Sequence, residues 1–167
     1  TGLSGAGKTT LARSLATALR GRQQPVCIID GDELRAGLCQ DLGFDTASRA
    51  ENVSRAAHMA RLLNDNGVHA VVALISPDTD ARALAYTTIG RGRCVEVHVN
   101  TPLAVCEQRD PKGLYARARA AQLAQMTGVQ APYEPPEQPA LRIDTRVTAL
   151  PLAVDQILAC QPGPSCP

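Results

Sequence analysis

The chain has 167 residues, a formal net charge of +1, 44% hydrophobic residues and only 2% aromatic residues. A chain of this length suits one domain, which can bury roughly two-thirds of the surface that its unfolded form exposes. The near-zero net charge excludes the strong positive field expected for a nucleic-acid or anionic-membrane partner, although a small anionic ligand needs only local positive charge. The apolar runs are also too short to span a bilayer.

The first recognisable element is a glycine-rich loop that runs directly into a helical pattern. Residues 2–9 read GLSGAGKT, which matches G-x-x-x-x-G-K-[ST], and apolar residues recur at helical spacing from 8 to 21. In such a loop the backbone amides wrap around phosphate oxygens, Lys8 bridges the β- and γ-phosphates, and Thr9 ligates Mg²⁺. We call residues 2–9 the P-loop and expect MgATP to bind to it and to Thr10. The expected ATP contacts are Gly2, Leu3, Ser4, Gly5, Ala6, Gly7, Lys8, Thr9 and Thr10.

Loops of this kind follow a buried strand, yet the sequence opens at Thr1 with the loop already under way. We expect that strand to lie outside the sequence, or the domain to have been cut from a longer, bifunctional polypeptide. The first strand of the predicted sheet is then largely missing.

The next predicted strand, at 26–30, leads into two carboxylates and a guanidinium, at Asp30, Asp32 and Arg35. Ligands bind beyond the carboxyl ends of the strands in open α/β sheets. Taken alone, this segment could equally be an acidic loop that caps a helix. Beside a P-loop, however, phosphoryl transfer needs a carboxylate that receives the proton of the acceptor hydroxyl, and cations that hold an anionic acceptor. We expect the carboxylates here to serve such a function, and Asp30 is the best candidate to contact Mg²⁺.

Farther along, apolar runs alternate with segments of helical period, which is typical of a parallel sheet covered on both faces. The predicted helices are 8–21, 48–66, 80–90, 102–108 and 151–159, and the predicted strands are 26–30, 69–75, 94–99 and, more weakly, 141–144. We predict an α/β fold, a P-loop NTPase-type three-layer sandwich with a five-stranded parallel sheet. It forms one domain, residues 1–160, and the proline-rich tail at 161–167 is expected to be disordered.

Residues 109–139 break the alternation of strands and helices. This segment combines Arg, Lys, Gly and Pro and contains no predicted strand. Long connections in compact domains are usually functional lids or disordered segments. We favour a flexible lid over a passive surface loop.

The six cysteines are scattered, without a CxxC pair and without metal-ligand spacing to a histidine. Disulfide frameworks and zinc sites have spacings that this chain lacks. We therefore expect reduced thiols in a cytoplasmic protein that carries no secretory leader.

Seven motifs in order resemble the signatures of adenylyl-sulfate (APS) kinases, from Gly2 to Thr145. Besides the P-loop they are Asp30-Gly31-Asp32 with Arg35, Asp41-Leu42-Gly43-Phe44, Arg49-Ala50-Glu51-Asn52, Ile75-Ser76-Pro77, Cys106 to Tyr115, and Thr127-Gly128 with Pro132-Tyr133-Glu134. Each motif is weak alone, but seven in this order beside a P-loop are hard to obtain by chance. Shikimate, gluconate and nucleoside monophosphate kinases share only the loop.

The resemblance implies a binding site for adenosine 5′-phosphosulfate (APS), the acceptor. Asp32 would be the base or orienting group for the ribose 3′-hydroxyl, and Arg35, Arg49 and Asn52 would hold the phosphosulfate. Two guanidiniums suit a doubly negative group, because arginine pairs with such groups in a planar, bidentate manner. Phe44, the only Phe, would stack on the adenine of APS; its alternative is a place in the core.

The remaining implied roles lie in the turn after the predicted strand at 69–75 and in the lid. Ile75 and Ser76 would contact APS; Ser76 corresponds to a serine that is phosphorylated in some members, although we prefer a positioning role for it. Lys112 would reach the reacting phosphates, and Arg109 would lie against the adenine of ATP. Met126 stands where the family has a second Phe, so the acceptor adenine would have one aromatic wall and one thioether wall. The implied catalytic residues are Lys8, Asp32, Ser76 and Lys112.

The main hypothesis is transfer of the γ-phosphate from ATP to APS, with Mg²⁺ bridging the ATP phosphates. One alternative is a kinase of another small anionic metabolite. The other is a nucleotide-binding regulatory or dimerisation module fused to a sulfate-activating enzyme. From the resemblance we also expect a possible homodimer and a possible fusion to, or association with, ATP sulfurylase, but no nucleic acid and no membrane as a partner.

Overall fold

The structure is a computed structural model that describes residues 1–160; the predicted disordered tail at 161–167 lies outside the described residues. The helices are α1 (Lys8–Gly21), α2 (Gly31–Ala36), α3 (Thr46–Asp65), α4 (Thr79–Ile89), α5 (Leu103–Arg109), α6 (Leu114–Arg119) and α7 (Leu150–Ala159). The strands are β1 (Val26–Asp30), β2 (His69–Ala73), β3 (Val97–Val99) and β4 (Leu141–Ile143), with a 3₁₀ turn at Arg91–Arg93 before β3. The order of these elements confirms the predicted α/β class.

The predicted elements are all present. The bounds of α1 and β1 are the predicted ones, and the other predicted elements have ends that differ by one to three residues. The short helices α2 and α6 were not predicted, and α6 lies within the segment expected to form the lid. Six residues are too few to show a helical period in the sequence.

The strands form two parallel pairs, β1 with β2 and β3 with β4. Thr1 and Gly2 lie between the pairs: the Val99 amide donates to the carbonyl oxygen of Thr1 at 2.9 Å, and the Gly2 amide donates to that of Ile75 at 3.3 Å. The backbone at the start of the P-loop therefore lies where the sequence predicts the additional strand. Within each pair the carboxyl ends of the strands lie at the same edge, and the P-loop begins between the two pairs.

Helix α1 packs against β1, β2 and α7, and so joins the two halves of the sheet.

The hydrophobic core is divided into two clusters. The larger is formed by α1, α7 and β3 together with residues of the 109–139 segment, and the smaller lies between β1, α2 and α3. Within residues 1–160, no helix combines the length and the apolar character that a membrane crossing needs.

Three helices begin with an aspartate cap. The side chains of Asp30, Asp45 and Asp78 accept hydrogen bonds from the first-turn amides of α2, α3 and α4. Helix α1 differs, because Gly7 precedes it and offers no side-chain cap. The first amides of α1 are therefore left for another acceptor.

Candidate active site

The P-loop is bent at glycines. Gly5 and Gly7 have φ values of +73° and +106°, in the left-handed region that favours glycine. A Cβ atom at Gly5 would lie 2.9 Å from the carbonyl oxygen of Cys106, which is closer than real side chains approach. Because α1 has no cap, the loop and the helix N-terminus together present amides to an anion, as phosphate-binding loops do.

Side chains from distant elements support the P-loop from behind. The hydroxyl of Thr101 donates to the carbonyl oxygen of Ala6 at 3.1 Å, and the hydroxyl of Thr145 donates to the same oxygen at 3.0 Å. The hydroxyl of Tyr115 donates to the carbonyl oxygen of Ser4 at 3.0 Å. The sequence analysis missed all three residues. Thr101 and Thr145 each follow a strand by two residues, so the rule that ligand sites lie beyond the carboxyl ends of strands could have identified them.

The side chain of Lys8 folds back onto the backbone of the P-loop. Its Nζ donates to the carbonyl oxygen of Leu3 at 2.7 Å. Burial lowers the pKa of Lys8 to about 8, and the positive charge of Lys112 adds to this effect. A partly buried cation whose hydrogen bond goes to a carbonyl oxygen is poorly compensated, so an anionic phosphate beside it would be stabilised.

Thr9 and Asp30 meet at the edge of the P-loop. The Thr9 hydroxyl donates to Asp30 Oδ2 at 2.7 Å, while Asp30 Oδ1 accepts the amide of Asp32 at 2.9 Å. Asp30 is only 6% exposed. Hydroxyl and carboxylate oxygens are ligands that suit Mg²⁺, which is usually held by one or two such groups together with substrate phosphates. Among residues 1–160 no cluster of three or more His, Cys, Asp or Glu could bind a metal without such phosphates.

An ion pair joins the segment after β1 to the predicted lid. Lys112 Nζ donates to Asp32 Oδ2, and both side chains are largely exposed, at 47% for Lys112 and 67% for Asp32. An exposed pair of this kind contributes little to stability. Its partners can therefore separate when a ligand brings stronger charges between them.

Phe44 is 54% exposed and lies outside both core clusters, which argues against the alternative that it is a core residue. The guanidinium carbon of Arg35 lies 4.3 Å from the centre of its ring, and that of Arg49 lies 6.0 Å away. We call Arg35, Phe44 and Arg49 the Phe44 cluster. Two cations beside an exposed aromatic face suit an anionic ligand that carries a flat ring.

The two arginines of the Phe44 cluster also hold backbone. Arg35 Nη1 donates to the carbonyl oxygen of Gly43 at 2.8 Å. Arg49 donates to the carbonyl oxygen of Phe44 at 2.7 Å, and to the Thr127 hydroxyl at 2.6 Å. Burial lowers the pKa of both guanidiniums, which remain charged. Arg49 thereby connects the Phe44 cluster to the predicted lid.

Met126 is the residue expected to form the second wall around the acceptor adenine. Its side chain is 6% exposed and belongs to the larger core cluster, together with Tyr115 and Ala118 of α6. In this structure Met126 packs in the core while Phe44 is exposed outside it, and the predicted place of both side chains around one base stays a prediction. The neighbouring Thr127 is also buried, at 1% exposure, so this part of the segment faces inward.

Asn52 and the turn after β2 complete the residues implied by the sequence. Asn52 is 5% exposed, and its Oδ1 atom has no hydrogen-bond partner within the described residues. A buried polar atom without a partner is costly unless a ligand or water satisfies it. Ile75 and Ser76 lie beside Thr1, whose hydroxyl donates to both of their carbonyl oxygens.

Arg109, at the end of α5, contacts the P-loop and the threonine that supports it. Its Nη1 atom donates to the Thr145 hydroxyl at 2.7 Å and approaches the carbonyl oxygen of Gly5 at 3.5 Å. A guanidinium that contacts the loop backbone lies close to any nucleotide bound there.

Comparison with known proteins agrees with this geometry. The family model for adenylylsulphate kinase matches residues 1–144. The adenylyl-sulfate kinase of Aeromonas hydrophila is 46% identical over 158 residues, which are 95% of this chain and 80% of that protein.

Solved structures give the same result. The APS kinase of Mycobacterium tuberculosis in complex with AMPPNP and APS has a TM-score of 0.92 and 41% identity, over 96% of this chain and 93% of that one. The hexameric APS kinase of Thiobacillus denitrificans has a TM-score of 0.69 and 34% identity, over 96% of this chain but 27% of that one. The family match, the near-complete relative and the shared fold show that the chain belongs to the adenylylsulphate kinase family.

Proposed function

We propose that this chain transfers the γ-phosphoryl group of ATP to the 3′-hydroxyl of adenosine 5′-phosphosulfate, giving ADP and 3′-phosphoadenylyl sulfate. The observation that carries the proposal is the meeting of three separate segments at one edge of the sheet. Thr9 of the P-loop bonds to Asp30, and Lys112 of the predicted lid pairs with Asp32. Phosphoryl transfer needs this combination of cations, a metal-binding oxygen pair and a carboxylate.

The carboxylate of Asp32 receives the proton of the acceptor hydroxyl as that oxygen attacks the γ-phosphorus. The bond from the γ-phosphorus to the β,γ-bridging oxygen breaks, and ADP leaves with the electron pair. Lys8 and Lys112 stabilise the negative charge on the transferred group. Asp32 is free to accept the proton only when Lys112 has moved from it toward the phosphates.

Mg²⁺ fits Thr9 and Asp30, whose oxygens already lie together. When bound, the ion neutralises part of the triphosphate charge. The amides of the P-loop hold the phosphates, and Arg109 lies against the nucleotide from the side of Thr145. The hydroxyls of Thr101, Thr145 and Tyr115 hold the backbone of the loop in place, so we expect ATP to bind with little rearrangement.

The Phe44 cluster binds the acceptor. The exposed ring of Phe44 supplies a stacking surface for adenine, and Arg35 and Arg49 supply two positive charges for the phosphosulfate. Asn52 offers a buried amide oxygen that lacks a partner within residues 1–160. Ile75 and Ser76 position the acceptor from the turn after β2, and we assign no covalent step to Ser76.

Residues 109–139 act as a lid in this proposal. One end is tied to the P-loop by Tyr115, and Lys112 and Thr127 reach the two sides of the acceptor region. Closure would exclude water from the reacting phosphate and bring Lys112 to it. Met126 has a supporting role here, because its side chain packs in the core.

The experiment is a coupled assay of purified protein with ATP and APS, with direct detection of the 3′-phosphorylated product. Adenosine 5′-monophosphate, which lacks the sulfate, and 3′-deoxy APS, which lacks the accepting hydroxyl, are the controls. We expect product only from APS. Turnover of another anionic acceptor would favour the alternative kinase, and nucleotide binding without turnover of any acceptor would favour the regulatory module.

Location and assembly are further proposals. The five cysteines within the described residues are free, which suits the reducing cytoplasm. A homodimer, and an association with ATP sulfurylase, stay predictions from the family resemblance. Light scattering of the purified chain, alone and mixed with ATP sulfurylase, tests both.

A further inference from the structure

Ser76 holds an unusual backbone conformation in the turn after β2. Its φ is +44°, and it is one of a few residues other than glycine with positive φ in residues 1–160. This region is uncommon for a residue that carries a side chain. Such a conformation persists where the surrounding structure holds it, and it is often found at functional sites.

Arg82 of α4 supplies the main contact that holds this turn. Its side chain is 7% exposed, and its Nη1 donates to the carbonyl oxygen of Ser76 at 2.8 Å. Its Nη2 donates to the Thr79 hydroxyl at 3.1 Å, and its Nε lies 3.2 Å from Glu96 Oε1. Each edge of the planar guanidinium thus has a partner, which fixes where Nη1 points.

The buried charge of Arg82 is compensated by Glu96, whose side chain is 14% exposed. A guanidinium buried without such a partner would be strongly unfavourable. Arg82 and Glu96 have no part in the acceptor site proposed above. Arg82 reaches that site only through the carbonyl group of Ser76.

The turn is also held from two other directions. The Thr1 hydroxyl donates to the Ser76 carbonyl oxygen at 3.2 Å. The amide of Glu134 donates to the Pro77 carbonyl oxygen at 2.9 Å, and its carboxylate accepts the Thr79 amide at 2.8 Å. These contacts fix the ends of the turn, whereas Arg82 provides the only side-chain cation on the carbonyl of Ser76 within the described residues.

We infer that Arg82 is a positioning residue for the acceptor substrate. Through Nη1 it holds Ser76 at positive φ, so that Ile75 and Ser76 keep the backbone geometry that receives APS. This inference rests on the proposed function, because it assigns the turn to the acceptor and not to ATP. Loss of the contact therefore weakens APS binding and leaves ATP binding unchanged.

Arg82→Lys tests the contact, since lysine can keep the pair with Glu96 but cannot also reach Ser76 and Thr79 with a planar fork. We expect the KM for APS to rise about tenfold, the effect of one lost charge-assisted hydrogen bond, with the KM for ATP within about twofold of wild type. The matched control is Arg93→Lys, which alters another arginine–carboxylate pair, that with Asp65, and should change neither constant.

Glu96→Gln separates positioning from stability. It lowers the stability of the fold by removing the partner charge of Arg82, but it leaves Nη1 free to hold Ser76. We expect a lower Tm with a KM for APS that stays within about threefold of wild type. If Glu96→Gln raised the KM for APS as much as Arg82→Lys does, the effect would follow stability and the inference would be overturned.

A double-mutant cycle with Ser76→Gly tests whether the contact acts through φ. Glycine adopts positive φ without support, so Arg82→Lys should raise the KM for APS less in the Ser76→Gly background than in wild type. An equal rise in both backgrounds would contradict the inference.

Hydrogen exchange of the amides at 74–79 gives a readout that does not depend on the acceptor. We expect faster exchange in Arg82→Lys than in wild type or Arg93→Lys, without any substrate present. Unchanged exchange would contradict the positioning role. Faster exchange in a protein that does not turn over APS would instead count against the proposed function alone.

Discussion

In the P-loop, the backbone is held from behind by Thr101, Thr145 and Tyr115, and the groups that face the nucleotide are left available. In the Phe44 cluster, the side chains proposed to bind the acceptor themselves hold the backbone. Arg35 donates to the Gly43 carbonyl oxygen, and Arg49 donates to that of Phe44 and to the lid. The P-loop takes most of its support from residues that are not proposed to bind the nucleotide, although Lys8 also donates to the Leu3 carbonyl oxygen. The Phe44 cluster combines support and binding in the same residues.

This difference predicts how each region responds to its ligand and to mutation. A P-loop that is supported independently should bind phosphate with little rearrangement, and a change at its charged residue should affect chemistry without affecting the fold. The guanidiniums of the Phe44 cluster must share their donors between backbone and ligand. Binding of the acceptor should therefore rearrange the lid, to which Arg49 is joined.

Lys8→Ala should have the largest effect on activity. If it also destabilised the fold, it would contradict the conclusion that the P-loop is supported mainly by other residues. We expect kcat/KM to fall by about 10³-fold, because the charge directed at the phosphates is lost. The Tm should change little, because only the bond from the partly buried Lys8 to Leu3 is lost while the contacts behind the loop remain. Steady-state kinetics and a thermal melt check both expectations. More than about a tenth of the wild-type rate, a barrier change under ~1.4 kcal/mol, would contradict the ATP assignment.

Asp32→Asn tests the group placed between the two regions. We expect kcat to fall by about 10²-fold, since the amide cannot accept the proton, with the KM for ATP nearly unchanged. Glu33→Gln is the matched control, because Glu33 is the neighbouring exposed carboxylate in the first turn of α2. Loss of ATP affinity as large as the loss of kcat would instead assign Asp32 to the metal site.

The pH dependence of stability tests the surroundings of His98. This residue lies in β3, the strand that bonds to Thr1 just before the P-loop. Burial, with the nearby positive charges of Arg142 and Arg82, lowers its pKa to about 4. In the unfolded chain the pKa of this histidine is near 6.5, so between about pH 4 and pH 6.5 the unfolded chain binds more protons than the folded one. The contribution of neutral His98 to the free energy of unfolding is therefore complete above about pH 6.5 and is lost as the pH falls toward 4.

We expect wild type to lose about 2 kcal/mol of unfolding free energy between pH 7 and pH 5 through this group, and His98→Phe to lose correspondingly less. Urea unfolding at both pH values measures the difference. His58→Gln, a change at an exposed histidine of α3, is the control and should leave the pH dependence of wild type in place. An identical pH dependence in His98→Phe would contradict the assignment.

Met126→Phe has the smallest expected effect on catalysis. It tests whether residue 126 belongs to the core or to the acceptor site. Because Met126 is packed in the core, the larger ring should destabilise the fold by about 1–3 kcal/mol, whereas Met126→Leu should cost less than about 1.5 kcal/mol. Thermal melts measure this, and the KM for APS should change by less than about twofold in both variants. A lower KM for APS in Met126→Phe alone would mean that residue 126 faces the acceptor in the substrate-bound enzyme.

The parts of the molecule with local signals could be predicted from the sequence. Helix α1 and strand β1 have long apolar patterns and clear ends, and the P-loop motif is contiguous, so their bounds and the phosphate site followed directly. The acceptor residues were implied only by the family resemblance, and their roles stay predictions. That Phe44 is exposed agrees with its predicted use, but nothing in the sequence showed that Met126 faces inward.

The parts that could not be predicted depend on contacts between distant segments. Thr145 supports Ala6 across 139 residues of sequence, and Tyr115 supports Ser4 across 111. The bond from Arg82 to Ser76 is local, but its importance depends on the positive φ of Ser76 and on the partner charge of Glu96, which no motif indicates. Helix α6 was missed because its six residues are too few to show a helical period.

The support of the P-loop by Tyr115 has an optical consequence. The chain contains no tryptophan and only three tyrosines, so tyrosines dominate its emission when it is excited near 280 nm. The hydroxyl of Tyr115 is bonded to Ser4, and that of Tyr133 lies 3.0 Å from the Thr1 hydroxyl. Two of the three fluorophores thus contact residues 1–4, and this chain carries its own label for nucleotide binding.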